Sequence, residues 1–529
     1  MSLKENSKNL IILLTEIAVI FLMVFKVAPL EASLFLTGLM VFYFIFSKVE
    51  DSLWVFIASI PLFVALPITE SFDSMANWRI LLTVLLLVIF FKHGLSIKLT
   101  KGRFGKWKIK EKFRHSQMEY LTGIFFLIGV ISLIAADNLF IGIKKILFIV
   151  NILFLFIIIR NLAYRNKKVI SKIISALKTA IGITLGVGFL QLAMVFFINL
   201  HQFWYLWDRN VINVFYGQEL SNLLSYTNTW FSYYSYQLPT LRMFSVFPDS
   251  HSFAFFCILS LPFILTAVFK RPRGNKKKAI IFYLLLISCL SAIIFSGSRG
   301  AWASALISLS AYLFIIFFYW SPSIRSRTTF FTAGFNQERR RQTQLIIGSL
   351  VIFFLLMPIA SAILFAPQYL ELGRDAMADM SFFERARSMI DFLEISVKSR
   401  LEIWQRTADS IIMKPLLGVG IGNYSLVLNE DVSFAKKGSS AHSLYLDIAA
   451  EMGIFALIVL TVIFWQILKE AWKQKSSCWT GFLVLALVWI FSYSLFDVVL
   501  FNDKVFLFFV AIIGLLYASP ISFNKSPDS

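Results

Sequence analysis

The sequence predicts an all-α, polytopic membrane protein with about 14 transmembrane helices. Three observations predict it. The first is composition: of 529 residues 58% are hydrophobic, only 15% are charged, and phenylalanine alone supplies 57, giving a mean hydropathy of +0.75. A soluble chain cannot cover its surface with so little charge, so most of the solvent must be lipid. The second is the recurrence of apolar stretches long enough to cross a hydrocarbon core of ~30 Å as helices, without the period-2 alternation of a membrane barrel. The third is that the basic clusters fall on one side when those stretches are threaded alternately through a bilayer.

Candidate spans lie near residues 9–27, 29–47, 52–69, 78–95, 117–136, 140–162, 173–200, 252–269, 279–296, 300–320, 344–366, 442–468, 478–497 and 503–519. Between them lie the basic clusters Lys98–Arg114, Arg165–Lys172, Lys270–Lys278, Arg325–Arg341 and Lys469–Lys475. All share a side, which the positive-inside rule makes the cytoplasm, and both termini are expected there as well. Lys4 and Lys8 give the first span the look of a signal peptide. Its apolar stretch is long and lacks a clear small-residue cleavage site, so it reads as a retained helix. The net charge of +20 is thereby a topology signal, and no basic surface with groove-reading partners points to nucleic acid. Cys257 and Cys289 sit in spans and Cys478 at a cytoplasmic end, so neither a disulfide framework nor a metal site is expected.

This threading places N-terminal transmembrane helices over 1–200, an external aromatic loop over 201–251 and further transmembrane helices over 252–366. An external helical loop over 367–441 and C-terminal transmembrane helices over 442–529 complete the chain. Function is expected on the external loops, because long connections on a rigid scaffold carry binding residues. The first is aromatic, with Trp204, Tyr205, Trp207, Tyr216, Tyr226, Trp230, Phe231, Tyr233, Tyr234 and Tyr236. It reads either as an interfacial belt or as a surface on which sugar faces stack. In the second, apolar residues from Ile390 to Ile412 recur at helical spacing among Arg385, Arg387, Lys398, Arg400 and Arg406. That pattern predicts an amphipathic helix over 381–413 packed on the membrane face. Lys414-Pro415 ends it, and the glycine-rich turn Gly418–Asn423 follows. No strand precedes that turn and its fingerprint is incomplete, so it is not a nucleotide loop.

Candidate chemistry lies at a few external positions. Arg299 lies in Ser296–Trp302 between two apolar spans. An arginine at membrane depth costs ~2.5–3.5 kcal/mol on insertion scales and so has a partner or a wet cavity. It either snorkels to head groups or, with N–H groups freed by the helix break, binds phosphate oxygens. Arg400 opens Arg400–Trp404 in the amphipathic helix and by itself reads as a solvated-face charge, since basic residues abound there. Arg242 opens the segment Arg242–Ala254, which carries Asp249 and His251 into the next span. His442 begins a later span, and its unperturbed pKa of ~6.5 suits acid–base work at neutral pH. Asp447 and Glu451 follow it, but neither stands one turn below, so the spacing implies no dyad and Glu451 reads as a structural partner. No Ser-His-Asp constellation, HExxH, Walker motif or paired-cysteine site is present. What remains is arginine, which suits a diphosphate, and one histidine placed to take a proton from a hydroxyl.

At these residues the sequence resembles the bacterial O-antigen ligase/polymerase family. The segments SGSRGAW at 296–302, RLEIW at 400–404, PLLGVGIGNY at 415–424 and HSLYLDIAAEMG at 442–453 stand in that family's order. His442-Ser443, nine positions and Gly453 resemble its H-[NSQ]-x9-G signature, and Arg242–Ala254 resembles a looser motif ahead of it. The resemblance covers about 280–460, and the first half agrees in hydropathy alone. It implies a metal-independent, inverting, GT-C-like glycosyltransferase without cofactors in the bacterial inner membrane, with its active site on the external face. The implied donor is a glycan on undecaprenyl diphosphate and the acceptor a lipid or glycan hydroxyl. By similarity Arg299 and Arg400 hold the diphosphate and His442 is the general base, with Arg242, Asp249, His251 and Trp404 as further substrate-binding candidates. Two departures stand out. Gly453 is followed by Ile454, Phe455 and Ala456 in place of Gly-x-x-Gly/Thr, and Asp249-Ser250-His251 replaces the usual Pro-Asn pattern.

Within the family, ligase, polymerase and protein O-oligosaccharyltransferase share donor chemistry, and the H-S-x9-G form is ligase-like. The competing class is an anion or solute transporter. A transporter calls for internal repeats with paired broken helices and midplane polar residues. The sequence shows no such repeat, and its charged candidates cluster on the external side.

Overall fold

The computed structural model describes residues 7–68, 75–93, 99–101, 107–109, 117–225, 229–232, 239–271, 275–320, 333–372, 395–428, 440–474 and 477–518. It is helical almost throughout, beginning with α1 (Ser7–Val24), α2 (Ala32–Phe46), α3 (Val49–Ala58), α4 (Asn77–His93), α5 (Gln117–Ser132), α6 (Leu139–Arg165) and α7 (Lys168–Met194). Three short helices follow: α8 (Leu200–Leu206), α9 (Asn213–Tyr216) and α10 (Gln218–Ser225). The rest are α11 (Ser250–Phe269), α12 (Lys276–Phe295), α13 (Arg299–Trp320), α14 (Ala333–Leu372), α15 (Ile395–Met413), α16 (Leu444–Met452), α17 (Ile454–Lys473), α18 (Cys478–Tyr493) and α19 (Asp503–Ala518). Among the described residues the strands form two small antiparallel ladders, β1 (Leu99–Lys101) with β2 (Trp107–Ile109), and β3 (Phe231–Ser232) with β4 (Thr240–Leu241).

This is the all-α polytopic membrane protein that composition predicts. Eight helices among the described residues are long and apolar enough to cross a membrane. Other windows among the about 14 expected spans are shorter or interrupted as helices among the described residues. The expected span 52–69 stops being α-helical after Ala58 and passes into a 3-10 turn over Ile60–Leu62 that contains Pro61. The expected span 442–468 divides at Gly453, whose φ of 85° ends α16 and starts α17. Two further windows hold apolar but shorter helices, Ala32–Phe46 and Cys478–Tyr493. The expected amphipathic helix over 381–413 is present as α15 from Ile395, and 381–394 lie outside the described residues.

Helices that are apolar all round belong either at the centre of a bundle or against lipid, and burial separates the two. In α11, 89% of the apolar window is inside the molecule, against 17% over Gln117–Ala135. Helix α11 is therefore the axis of the bundle, packed against α12 and α18, while α19 packs against α6. Phenylalanine fills the seams: Phe256 meets Phe508 of α19 at 4.1 Å between ring centroids, and Phe255 stacks on Tyr493 of α18 at 5.9 Å.

The aromatic segment 201–251 follows neither expectation at several of its rings. Trp207, Tyr216, Trp230 and Phe231 are buried in the molecule. Trp230 stacks on Phe244 at 4.8 Å and donates its indole N–H to Pro248 O at 2.9 Å. These rings are a packed foundation under the segment that enters α11. Tyr226, Tyr233, Tyr234 and Tyr236 lie outside the described residues.

Candidate active site

The site begins at the turn between α12 and α13. Ser296 Oγ donates back to Ile293 O at 2.6 Å, and Ser298 N–H donates to Ser296 Oγ at 3.3 Å. Gly297 takes φ 64° between them. Serine side chains that satisfy local backbone groups, with a glycine at positive φ, reverse the chain without a long loop. A Cβ on Gly297 would stand 3.2 Å from Arg242 Cγ and 3.3 Å from Nε, so the Arg242 side chain lies across this turn.

Arg242 is held there by its own backbone. Its N–H donates to Trp230 O, and Met243 N–H donates to Phe295 O, both at 2.8 Å. Its Nε donates to Ser232 Oγ of β3 at 2.8 Å. The chain then crosses Gln191 of α7, whose Oε1 accepts from the N–H groups of Phe244 and Ser245 at 2.8 and 2.9 Å. Asp249 caps α11, accepting from Ser252 N–H and Ser252 Oγ, both at 2.7 Å, as a helix start requires. That cap sets His251 in the first turn. His251 Nδ1 lies 3.0 Å from Ser298 Oγ, 3.2 Å from the Tyr493 hydroxyl and 3.3 Å from Asp497 Oδ2. Ser298 and Tyr493 are themselves 2.5 Å apart.

The second half comes from α15 and the approach to α16. Arg400 and Trp404 stand one turn apart on α15. Trp404 donates its indole N–H to Ala441 O at 2.9 Å, and Ala441 N–H donates to Asp447 Oδ1 at 3.1 Å. His442 follows at φ 48°, a left-handed conformation that costs about 1–2 kcal/mol outside glycine. Behind α16, Lys145 of α6 donates to Glu451 at 2.6 Å and lies 4.0 Å from Asp447.

Electrostatics joins the halves. Arg242, Asp249, Arg400 and His442 all act on His251, and His442 and Arg400 act on Asp497. The structure thus brings together five residues singled out in the sequence: Arg242, Asp249, His251, Arg400 and His442. Trp404 joins through Ala441, and Arg299 opens α13 beside Ser298. Each of these seven, with Asp497, is half-buried, while Ser298, Tyr493, Ala441 and Asp447 behind them are buried. Burial pushes the His442 pKa below its ordinary value; Asp497 pulls it back up and Arg400 adds to the fall. The imidazole is therefore neutral at neutral pH and can accept a proton. Burial raises the Asp497 carboxyl, with His442 and Arg400 drawing it down. Burial likewise raises Asp249 against the opposing charge of His251. Asp447 is pushed up to about 7 by burial and by Glu451, against the pull of Lys145.

The glycine-rich turn after α15 is scaffold. Val419 N–H donates to Ala450 O at 2.8 Å, Ile454 N–H to Pro415 O at 2.9 Å, and Asn138 N–H to Asn423 Oδ1 at 2.8 Å. It brackets the α5–α6 turn to the α16–α17 junction. Among the described residues no cluster of His, Cys, Asp or Glu could hold a metal ion. Sequence reasoning missed Ser298, Tyr493, Asp497 and Lys145. An ionisable residue just beyond an apolar span was the available signal for Asp497.

Fold and site together define a polytopic α-helical membrane protein with a half-buried arginine- and histidine-lined site where five segments meet. Residues 282–461 match the O-antigen ligase family model, and the match supports membership of the O-antigen ligase/polymerase family. That family acts on lipid-linked glycans, and it points to a glycosyltransferase-type enzyme. The match contains Arg299, Arg400, Trp404 and His442, and it lies between His251 on one side and Tyr493 and Asp497 on the other. No curated protein matches the chain.

Proposed function

We propose that the chain transfers a glycan from undecaprenyl diphosphate to an acceptor hydroxyl on the external face of the bacterial inner membrane, as an O-antigen ligase. Both termini lie in the cytoplasm, where the positive-inside rule puts the basic clusters. The acceptor oxygen attacks the anomeric carbon as its proton passes to His442. The bond from that carbon to the diphosphate oxygen breaks, and its electron pair leaves with undecaprenyl diphosphate. Arg299 and Arg400, with Arg242 beside them, offset the charge that develops on the leaving group. Arginine supplies the positive charge without a metal ion, and a single displacement inverts the anomeric centre.

The observation that carries this reading is a half-buried His442 set among charges that include Arg400 and Asp497, in a site shared with Arg242 and His251. A base and cationic anion holders brought to one site suit a displacement with a diphosphate leaving group. The test is purified protein reconstituted in sealed liposomes with a lipid-linked repeat unit and candidate acceptors, followed by product mass and by donor sidedness. A single adduct identifies a ligase and a ladder a polymerase, whereas loss of donor across the bilayer without product overturns transfer in favour of transport. His442→Ala should lower turnover by about 10²–10⁴-fold while the donor still binds; wild-type turnover removes His442 from the chemistry.

A further inference from the structure

His442 is the proposed base, and the inference here rests on that assignment. Its backbone is left-handed, φ 48°, a conformation that persists in a non-glycine residue only when the surroundings impose it. The surroundings do so by fixing the peptide groups on either side. Ala441 is fully buried. Its carbonyl accepts the Trp404 indole N–H at 2.9 Å, and its N–H donates to Asp447 Oδ1 at 3.1 Å. On the far side of His442, Leu444 N–H donates to Ser494 O at 2.9 Å. Asp447 is braced in turn by Lys145, which also holds Glu451 one turn further along α16.

Trp404 stands on α15 one turn after Arg400. The hydrogen bond from its indole to Ala441 therefore ties the helix carrying Arg400 to the peptide that carries His442. We propose that Trp404 and Asp447 are positioning residues that clamp the Ala441 peptide, holding the His442 imidazole in register with Arg400, and that the Trp404 indole N–H serves this clamp and not a sugar. Displacing a reacting group by about 1 Å can cost roughly a hundredfold in rate, so the clamp acts on kcat. A stacking platform for sugar would act on KM.

The test uses the full chain in detergent or nanodiscs, with Trp404→Phe, Asp447→Asn and Asp447→Ala measured beside the wild type and His442→Ala. Trp404→Phe keeps an aromatic ring, smaller than indole, and removes the N–H. It should lower kcat by about 10–100-fold with donor KM little changed. Asp447→Asn retains an oxygen that accepts from Ala441 and should keep more turnover than Asp447→Ala. An NMR titration of labelled histidine, assigned with His442→Ala, gives a readout that needs no turnover. In Trp404→Phe the His442 pKa should rise towards the ordinary value of ~6.5 as the ring escapes its buried position. A Trp404→Phe variant with wild-type kcat and raised KM, or with an unmoved His442 titration, overturns the clamp. If the titration moves as expected while His442→Ala retains full turnover, the clamp stands and the base assignment fails.

Discussion

Two glycine turns in this molecule look alike in sequence and do different work. Ser296–Gly300 and Gly418–Gly422 both follow a helix; the first uses one glycine at positive φ, Gly297, and the second three, Gly418, Gly420 and Gly422. Around Gly418 and Gly420 the neighbours are backbone: a Cβ on Gly418 would fall 2.2 Å from Ala450 O, and one on Gly420 would fall 2.5 Å from Ala136 Cα. Around Gly297 the neighbour is the side chain of Arg242. Close approach of backbone to backbone marks a joint, whereas close approach of a charged side chain to an open turn marks a site. Glycine reports proximity, and only the identity of the neighbour reports function.

Substitution at the joint should give the largest effect. Gly418→Ala combines a positive φ with an overlap that backbone cannot relieve, and should destabilise the protein by about 3 kcal/mol or more. Thermal unfolding in detergent reads this as a large fall in Tm, with activity lost in step with the folded fraction; an unchanged Tm would dissolve the distinction between the turns. Gly297→Ala should behave differently. Its φ penalty of about 1–2 kcal/mol leaves a folded protein, because the long Arg242 side chain can give way. The displaced guanidinium should then raise the KM for lipid-linked donor more than it lowers Tm, and a pure stability loss would make this turn a second joint.

The smallest effect is a shift in pH dependence. The charged and titratable groups acting on His442 are Arg400, Asp497 and His251. With its pKa pushed down by burial, His442 loses base function only as pH falls through a value below the ordinary ~6.5. The acidic limb of kcat/KM should lie there. Asp497 favours the protonated imidazole, so Asp497→Asn should move the limb to still lower pH. A shift to higher pH would mean that Asp497 acts chiefly through His251, whose Nδ1 lies 3.3 Å from its carboxylate.

Much of the site was legible as short motifs, because arginine and histidine are conspicuous against apolar sequence. Arg299, Arg400 and His442 stand out for that reason, and Arg242, Asp249 and His251 follow as the polar entry to a span. The roles of Tyr493, Ser298 and Asp497 were not legible, although Asp497 is conspicuous as an ionisable residue just beyond an apolar span. Tyr493 and Ser298 have residue types that packing also uses, and Asp497 follows a span whose partners are remote in the chain. Ser298 meets Tyr493 across 195 positions, and Lys145 meets Glu451 across 306. No local period encodes such meetings.

The sequence by itself determined the solvent of this protein, its helical class and the chemical types at its site. Those properties are sums over local composition: apolar windows partition into lipid, and buried polar backbone there must be helical. The tertiary structure alone decided which apolar windows are continuous helices, that α11 is central, and that several aromatic rings expected at an interface are buried foundations. It also decided the backbone of His442. A left-handed histidine is disfavoured by its own local energetics, and only contacts from α15, α16 and the segment after α18 can hold it there.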